Sequence, residues 1–325
     1  MQAPAETNRP PIVARPRRAP DVFLIGVPRA ATTSLYEALG RHPQIYASTL
    51  KEACFTCPDV DPHTRHRLET RFFSNGDEYL ALFAAARDDQ LIVEGCTYNI
   101  YSPAAPGLIR ALNANARFLV QLRDPLEQMY SNHGIKVVMG DLGADFEQDV
   151  ERQAQARVGT DERPVNMGSY DLRDKATVAH GLARFIEAFD RGRVHVTLYE
   201  DYATQPAAVI RGVLRFLGID AEVDLRADVL VPHRVARWDR LNRQMASQRV
   251  IGRAKNLTPA ALHPIARGIA GAIFRRNRRR ARRPPMSPAL RDKLRDEFRP
   301  EVERLSELIG RDLVAIWWSR SAADE

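Results

Sequence analysis

The stretch Phe23-Leu24-Ile25-Gly26-Val27-Pro28-Arg29-Ala30-Ala31-Thr32-Thr33-Ser34-Leu35-Tyr36 constrains this chain most. A short apolar run ends in Gly26, turns through Pro28-Arg29 and meets hydroxyl residues that open a helical segment. The order is strand, loop, helix. The first N–H groups of a helix have no partner inside it, and the helix dipole adds partial positive charge there. Thr32, Thr33 and Ser34 contribute hydroxyls, Ala30 and Ala31 contribute backbone amides, and Arg29 contributes a permanent cation with a forked donor set. An anion of phosphate or sulfate shape is the expected occupant. The loop lacks the second glycine and the Lys-Ser/Thr pair of a Walker A motif, and it lacks the G-x-G-x-x-G of dinucleotide loops.

A second strand-to-helix junction follows at Phe118-Leu119-Val120-Gln121-Leu122-Arg123-Asp124-Pro125-Leu126-Glu127. The near-continuous apolar run is that of a parallel strand covered on both faces. Asp124 suits an N-cap, Pro125 the first helical position, and Glu127 the third, which predicts a capping box. Arg123 then lies at the carboxyl end of a strand, where open α/β sheets bind ligands. Ser131 lies two helical turns further on, placed to face the same anion.

Both segments resemble sulfotransferases that use 3'-phosphoadenosine 5'-phosphosulfate (PAPS). The first is similar to their 5'-phosphosulfate loop, with Ala31 where the family has Gly. A positive φ at that position would cost an alanine roughly 1 kcal/mol. The second is similar to their strand-Arg-Asp-Pro…Ser passage, whose Arg and Ser hold the 3'-phosphate. The likeness continues through His42-Pro43, Lys51-Glu52, Phe72-Phe73, Val93-Glu94-Gly95-Cys96-Thr97-Tyr98, Gly168-Ser169-Tyr170, Val194 to Tyr202, Phe216-Leu217-Gly218 and a closing helix from Pro285 to Trp317. That tail resembles bacterial members and heparan sulfate sulfotransferases.

The resemblance implies the following roles. Arg29 neutralises the leaving phosphate, aided by Ala30, Ala31, Thr32, Thr33 and Ser34. Arg123 and Ser131 clamp the 3'-phosphate, and Tyr170 contacts adenine. A basic cover over 230–286 reaches back to the nucleotide, with Arg279 and Arg280 as its candidates. Glu52 matches the glutamate base of heparan-type members, and Glu94 is the reserve. PAPS is the implied co-substrate, and arginines rather than a metal neutralise the charge of the transferred group. The acceptor is a hydroxyl or amine on a small molecule, glycan or lipid. On the residues alone two other classes stay open: a P-loop kinase using ATP and Mg²⁺, and a non-catalytic relative that binds nucleotide or membrane.

The rest of the sequence bounds these readings. With 325 residues, 44% of them hydrophobic, the chain can fill one large α/β domain. Residues 1–20, rich in Pro and Arg, read as a flexible leader without a secretory core, and 21–325 as the domain. No apolar run reaches the length of a membrane span, which suggests a cytoplasmic enzyme. An excess of 48 basic over 41 acidic residues suits a polyanionic ligand. The apolar-plus-basic stretch 260–283 also suits the surface of an anionic membrane. Nucleic acid is not expected, since no recognition motif or aromatic interleaving is present. Of the three cysteines, Cys54-x-x-Cys57 is half of a zinc or redox pattern, and no second Cys/His pair stands at structural-zinc spacing, so no metal is expected.

The apolar periodicity predicts strands at 22–26, 91–95, 117–122 and 194–199. Helices are predicted at 32–40, 77–87, 103–113, 125–138, 145–157, 169–190, 206–217 and 288–309, with 41–76 as a loop. The expected architecture is a P-loop-type parallel sheet flanked by helices on both faces, with a helical and basic covering region.

Overall fold

The computed structural model describes residues 18–59, 73, 75–139, 142–157, 171–225, 234–236, 278–280 and 285–319. Tyr170, Phe72, residues 1–17 of the expected leader and most of 230–286 lie outside these.

Five strands form one parallel sheet: β1 (Val22–Gly26), β2 (Ile45–Ala47), β3 (Leu91–Gly95), β4 (Arg117–Leu122) and β5 (Val194–Leu198), in the order β2-β3-β1-β4-β5. β1 is central and every residue in it is buried, which is why it reads as an unbroken apolar run. Registers such as Phe23↔Glu94, Phe23↔Phe118 and Leu119↔His195 align the strands so that their carboxyl ends share one edge. The order reverses direction at β1, so the loops after β1 and β4 open at the topological switch point.

Helices cover both faces. On one, α1 (Thr32–Leu39) and a later helix spanning Pro206–Leu217 bury Leu35, Leu39, Val213 and Leu214 against Val22, Leu24 and Leu119. Between α1 and that helix the chain adds α2 (Gly76–Ala81), α3 (Ala105–Leu112), α4 (Pro125–Met139), α5 (Phe146–Arg157), α6 (Leu172–Ala176), α7 (Ala179–Phe189) and α8 (Tyr199–Thr204), which makes Pro206–Leu217 α9. On the opposite face Ile109 of α3 and Leu182, Phe185 and Phe189 of α7 pack on Phe23, Ile25, Phe118 and Val120. The long α10 (Pro288–Ile309) and the closing α11 (Leu313–Trp318) complete that face through Val302, Leu305, Leu313 and Trp317. The apolar stripe of α10 is core, as its spacing predicts, and Ser287 caps it by accepting from Leu290 N–H at 3.3 Å.

Four local expectations need correction. The predicted loop 41–76 contains β2, a three-residue edge strand too short to show a period of its own. The predicted helix 169–190 is two helices, α6 and α7, parted at Thr177-Val178. The physical reason comes from α10: Glu301 accepts from Val178 N–H and Ala179 N–H, both at 2.6 Å, and so caps a second helix start. Close packing adds to this, since a Cβ at Gly181 would collide with the carbonyl of Ile100. The capping box at α4 is half present. Asp124 accepts from Leu126 N–H at 2.8 Å, but the Asp124 N–H is taken by Glu200 at 3.3 Å rather than by Glu127. Lastly, Arg279 and Arg280 belong to a strand, β7 (Arg278–Arg280), paired antiparallel with β6 (Arg234–Ala236), where a helical and basic covering region was expected. β6 lies against α4, so this ribbon returns to the helix that follows Arg123.

Candidate active site

The β1–α1 loop and the β4–α4 junction meet. Arg123 Nη1 donates to the backbone carbonyl of Arg29 at 2.8 Å, and Arg29 Nε donates to Ser131 Oγ at 3.1 Å. Gln128, one helical turn before Ser131, donates from Nε2 to the carbonyls of Pro28 (3.1 Å) and Lys175 (2.9 Å). The sequence reading missed Gln128. Its only signal is its position, three residues before Ser131 and therefore on the same face of α4.

The loop is held in a costly backbone. Arg29 has φ 71° and Ala31 has φ 61°, both in the left-handed region that glycine adopts most readily. Glu52 (φ 61°) and Cys54 (φ 53°) do the same in the segment after β2. Four of the five non-glycine residues with positive φ among those described thus lie around this loop. Such strain persists where surrounding structure over-determines it, and it concentrates at functional sites. Ala31 occupies the N-cap position of α1 and offers no side-chain cap, which leaves the first-turn amides of Thr32, Thr33 and Ser34 available to an anion.

The hydroxyl residues of α1 separate. Thr33 is exposed, while Thr32 is buried with its Oγ1 accepting from Lys51 Nζ at 3.4 Å. Ser34 Oγ pairs with Tyr202 Oη of α8 at 3.0 Å. Ala30 is fully buried, and its N–H donates to the Val27 carbonyl at 3.3 Å.

Lys51 also binds Glu52 Oε1 at 2.7 Å. The Glu52 carboxylate further accepts from Thr97 N–H (2.8 Å) and Thr97 Oγ1 (3.1 Å), so β3 and the segment after β2 hold it in place. Gly95 permits this approach: a Cβ there would lie 2.9 Å from the Tyr36 ring and 3.3 Å from Lys51. Behind Glu52 lies Glu94. Burial, reinforced by the Glu52 charge, pushes its carboxyl up to about 8.

Several buried polar atoms at the carboxyl edge of the sheet make no hydrogen bond: Arg123 Nε, both side-chain heteroatoms of Gln121 and Thr197 Oγ1. Gln121 and Thr197 are direct cross-strand partners. Unsatisfied polar atoms of this kind are uncommon in native interiors and fit a polar, anionic ligand at this edge. Arg123 itself is oriented by the Tyr199 ring, 4.0 Å from its guanidinium carbon, and by Glu127 at 4.0 Å. Glu127 is shared with Arg291 of α10 at 3.6 Å. Tyr170 lies outside the described residues, and of Arg279 and Arg280 only the backbone is described.

A parallel α/β sheet with a strained loop and open helix-start amides at its switch point defines an α/β scaffold with a candidate anion site. The family model of the sulfotransferase domain matches residues 19–234, and this chain belongs to that family. Human carbohydrate sulfotransferase 15 is 24% identical over 259 residues, covering 63% of this chain and 45% of that protein. The chain therefore spans about half the length of that curated relative. The crystal structure of a sulfotransferase from Alicyclobacillus acidocaldarius shares the fold, with a TM-score of 0.67 and 23% identity over 93% of this chain and 99% of that one. Among the described residues no helix is long and apolar enough to cross a membrane.

Proposed function

We propose that the chain transfers a sulfuryl group from PAPS to a hydroxyl or amine of an acceptor, with an alcohol on a sugar or lipid as the favoured class. The observation that carries this reading is the junction of the two loops, in which Arg123 holds the Arg29 carbonyl and Arg29 holds Ser131. Both cationic groups and the amides of α1 thus serve one ligand, with anionic groups at both ends of an adenylate. The human relative is a carbohydrate sulfotransferase, which supports a sugar hydroxyl.

In the proposed reaction the acceptor oxygen attacks sulfur in line, a new S–O bond forms, and the S–O bond to the 5'-phosphate breaks. The electron pair leaves on that phosphate, where Arg29 and the amides of Ala31 to Ser34 stabilise the growing charge. Glu52 takes the acceptor proton, and Lys51 and Thr97 fix its carboxylate in one orientation. Arg123 and Ser131 hold the 3'-phosphate, which is the feature that separates PAPS from ATP. The basic cover that carries Arg279 and Arg280 would add positive charge on the side of the same phosphate, and Tyr170 would contact the adenine. Arginine and backbone dipoles carry the charge in this scheme.

Calorimetric titration of the full chain with adenosine 3',5'-bisphosphate in EDTA tests the reading. One site per chain, not displaced by ATP with or without Mg²⁺, is the expected result. An absent heat signal, or equal competition by MgATP, overturns it.

A further inference from the structure

The chain has three cysteines, and all three meet in one buried cluster. Cys54 and Cys57 follow Glu52 in the segment after β2, while Cys96, 39 residues beyond Cys57, stands just past the end of β3. Cys96 Sγ lies 3.6 Å from Cys54 Sγ and 3.8 Å from Cys57 Sγ, and the three sulfurs fall within 4.8 Å of one another. Each residue is at most 2% exposed. Among the described residues this is the one group of metal-ligating side chains so arranged.

We infer that Cys54, Cys57 and Cys96 form a three-thiolate site for a soft divalent cation of the zinc class. A Zn–S bond of about 2.3 Å sets two thiolates of one tetrahedral ion about 3.8 Å apart, which is the spacing seen around Cys96. Thiols in simple van der Waals contact reach similar distances, so spacing alone does not decide. The joint placement of all three sulfurs, each buried, does. Cys96 is nearly equidistant from two partners, which singles out neither pair as a disulfide and suits equal placement about one atom. The three sulfurs alone make the cluster, since the Glu94 carboxylate two residues before Cys96 does not come within 4.8 Å of all of them.

The ion would tie the segment carrying Lys51 and Glu52 to the end of β3, and so fix the proposed base beside the loop. It takes no part in sulfuryl transfer, and the site stands whether or not PAPS is the donor.

The probe is cobalt(II), added under anaerobic conditions to the full chain after chelator and reductant have been removed. One equivalent per chain, a thiolate-to-cobalt charge-transfer band in the near ultraviolet, and its loss on adding one equivalent of zinc(II) are the expected results. Cys96→Ser should weaken cobalt affinity at least tenfold. Should that variant not fold, the wild-type protein decides: zinc(II) should raise its melting temperature and slow native alkylation of its thiols. No charge-transfer band at saturating cobalt, an unchanged band in folded Cys96→Ser, or zinc without effect on wild-type melting and alkylation overturns the site. So does a Cys54–Cys96 or Cys57–Cys96 disulfide in mass spectra of protein isolated with its thiols blocked.

Discussion

At the scale of single residues, the loop after β1 carries its function at the expense of its backbone. Ala31, at φ 61°, has the conformation in which an alanine is strained by roughly 1–2 kcal/mol, partly offset because glycine loses more chain entropy on folding. Ala31→Gly should therefore stabilise the fold by about 0.5–1 kcal/mol in urea denaturation, and a loss of stability would contradict the strain argument. Glu52 is held by three donors in a left-handed backbone, which suits a group whose orientation matters. Glu52→Gln should lower PAPS turnover by about 10²–10⁴-fold, measured as acceptor sulfation, and an unchanged rate would remove it as the base. The sequence singles out Arg29 and Arg123 because they sit at strand-to-helix junctions, and Ser131 because it lies further along the helix that follows Arg123. The contact between Arg29 and Ser131 was not legible there, since it depends on how far apart two crossovers stand in the sheet. Gln128 and Cys96 escaped for the same reason: each gains its meaning from a partner far along the chain.

At the scale of elements, strands and helix starts were the most readable and helix breaks the least. Apolar runs in β1 and β4 and the caps at Ser287 and Asp124 are local signals, and each corresponds to an observed boundary. The break between α6 and α7 depends on Glu301, more than a hundred residues away, so no window of sequence could show it. β2 is three residues long and is defined by its ladder to β3 rather than by its own pattern. The cap of α4 makes a pH prediction. Burial, with Glu127 adding to it, raises the Asp124 carboxyl from its usual range up to about 7. The folded state thus binds this proton more tightly than the unfolded chain, so the stability it contributes is present below about pH 4 and lost as pH rises to about 7. Asp124→Asn keeps the capping acceptor but does not titrate. Relative to this variant, wild-type protein should lose up to a few kcal/mol between pH 4 and pH 8 in parallel denaturation series. A constant difference across that range would refute the shift.

At the scale of the whole molecule, the sheet order β2-β3-β1-β4-β5 converts separate motifs into one site. Because β1 lies between β3 and β4, the segment bearing Glu52, the loop bearing Arg29 and the junction bearing Arg123 all open at the same edge. The sequence suggested the parallel sheet and its helical layers, and the order of strands followed only from the ladders. The central claim is that Arg123 binds the nucleotide whereas Glu52 acts on the acceptor. The direct measurement is the affinity of adenosine 3',5'-bisphosphate for wild type, Arg123→Ala and Glu52→Gln, by calorimetry under one set of conditions. Loss of a charge-assisted contact worth about 1.5–3 kcal/mol predicts a ten- to hundredfold weaker complex for Arg123→Ala. Glu52→Gln should bind within about twofold of wild type. Full affinity in Arg123→Ala together with lost affinity in Glu52→Gln would contradict the account.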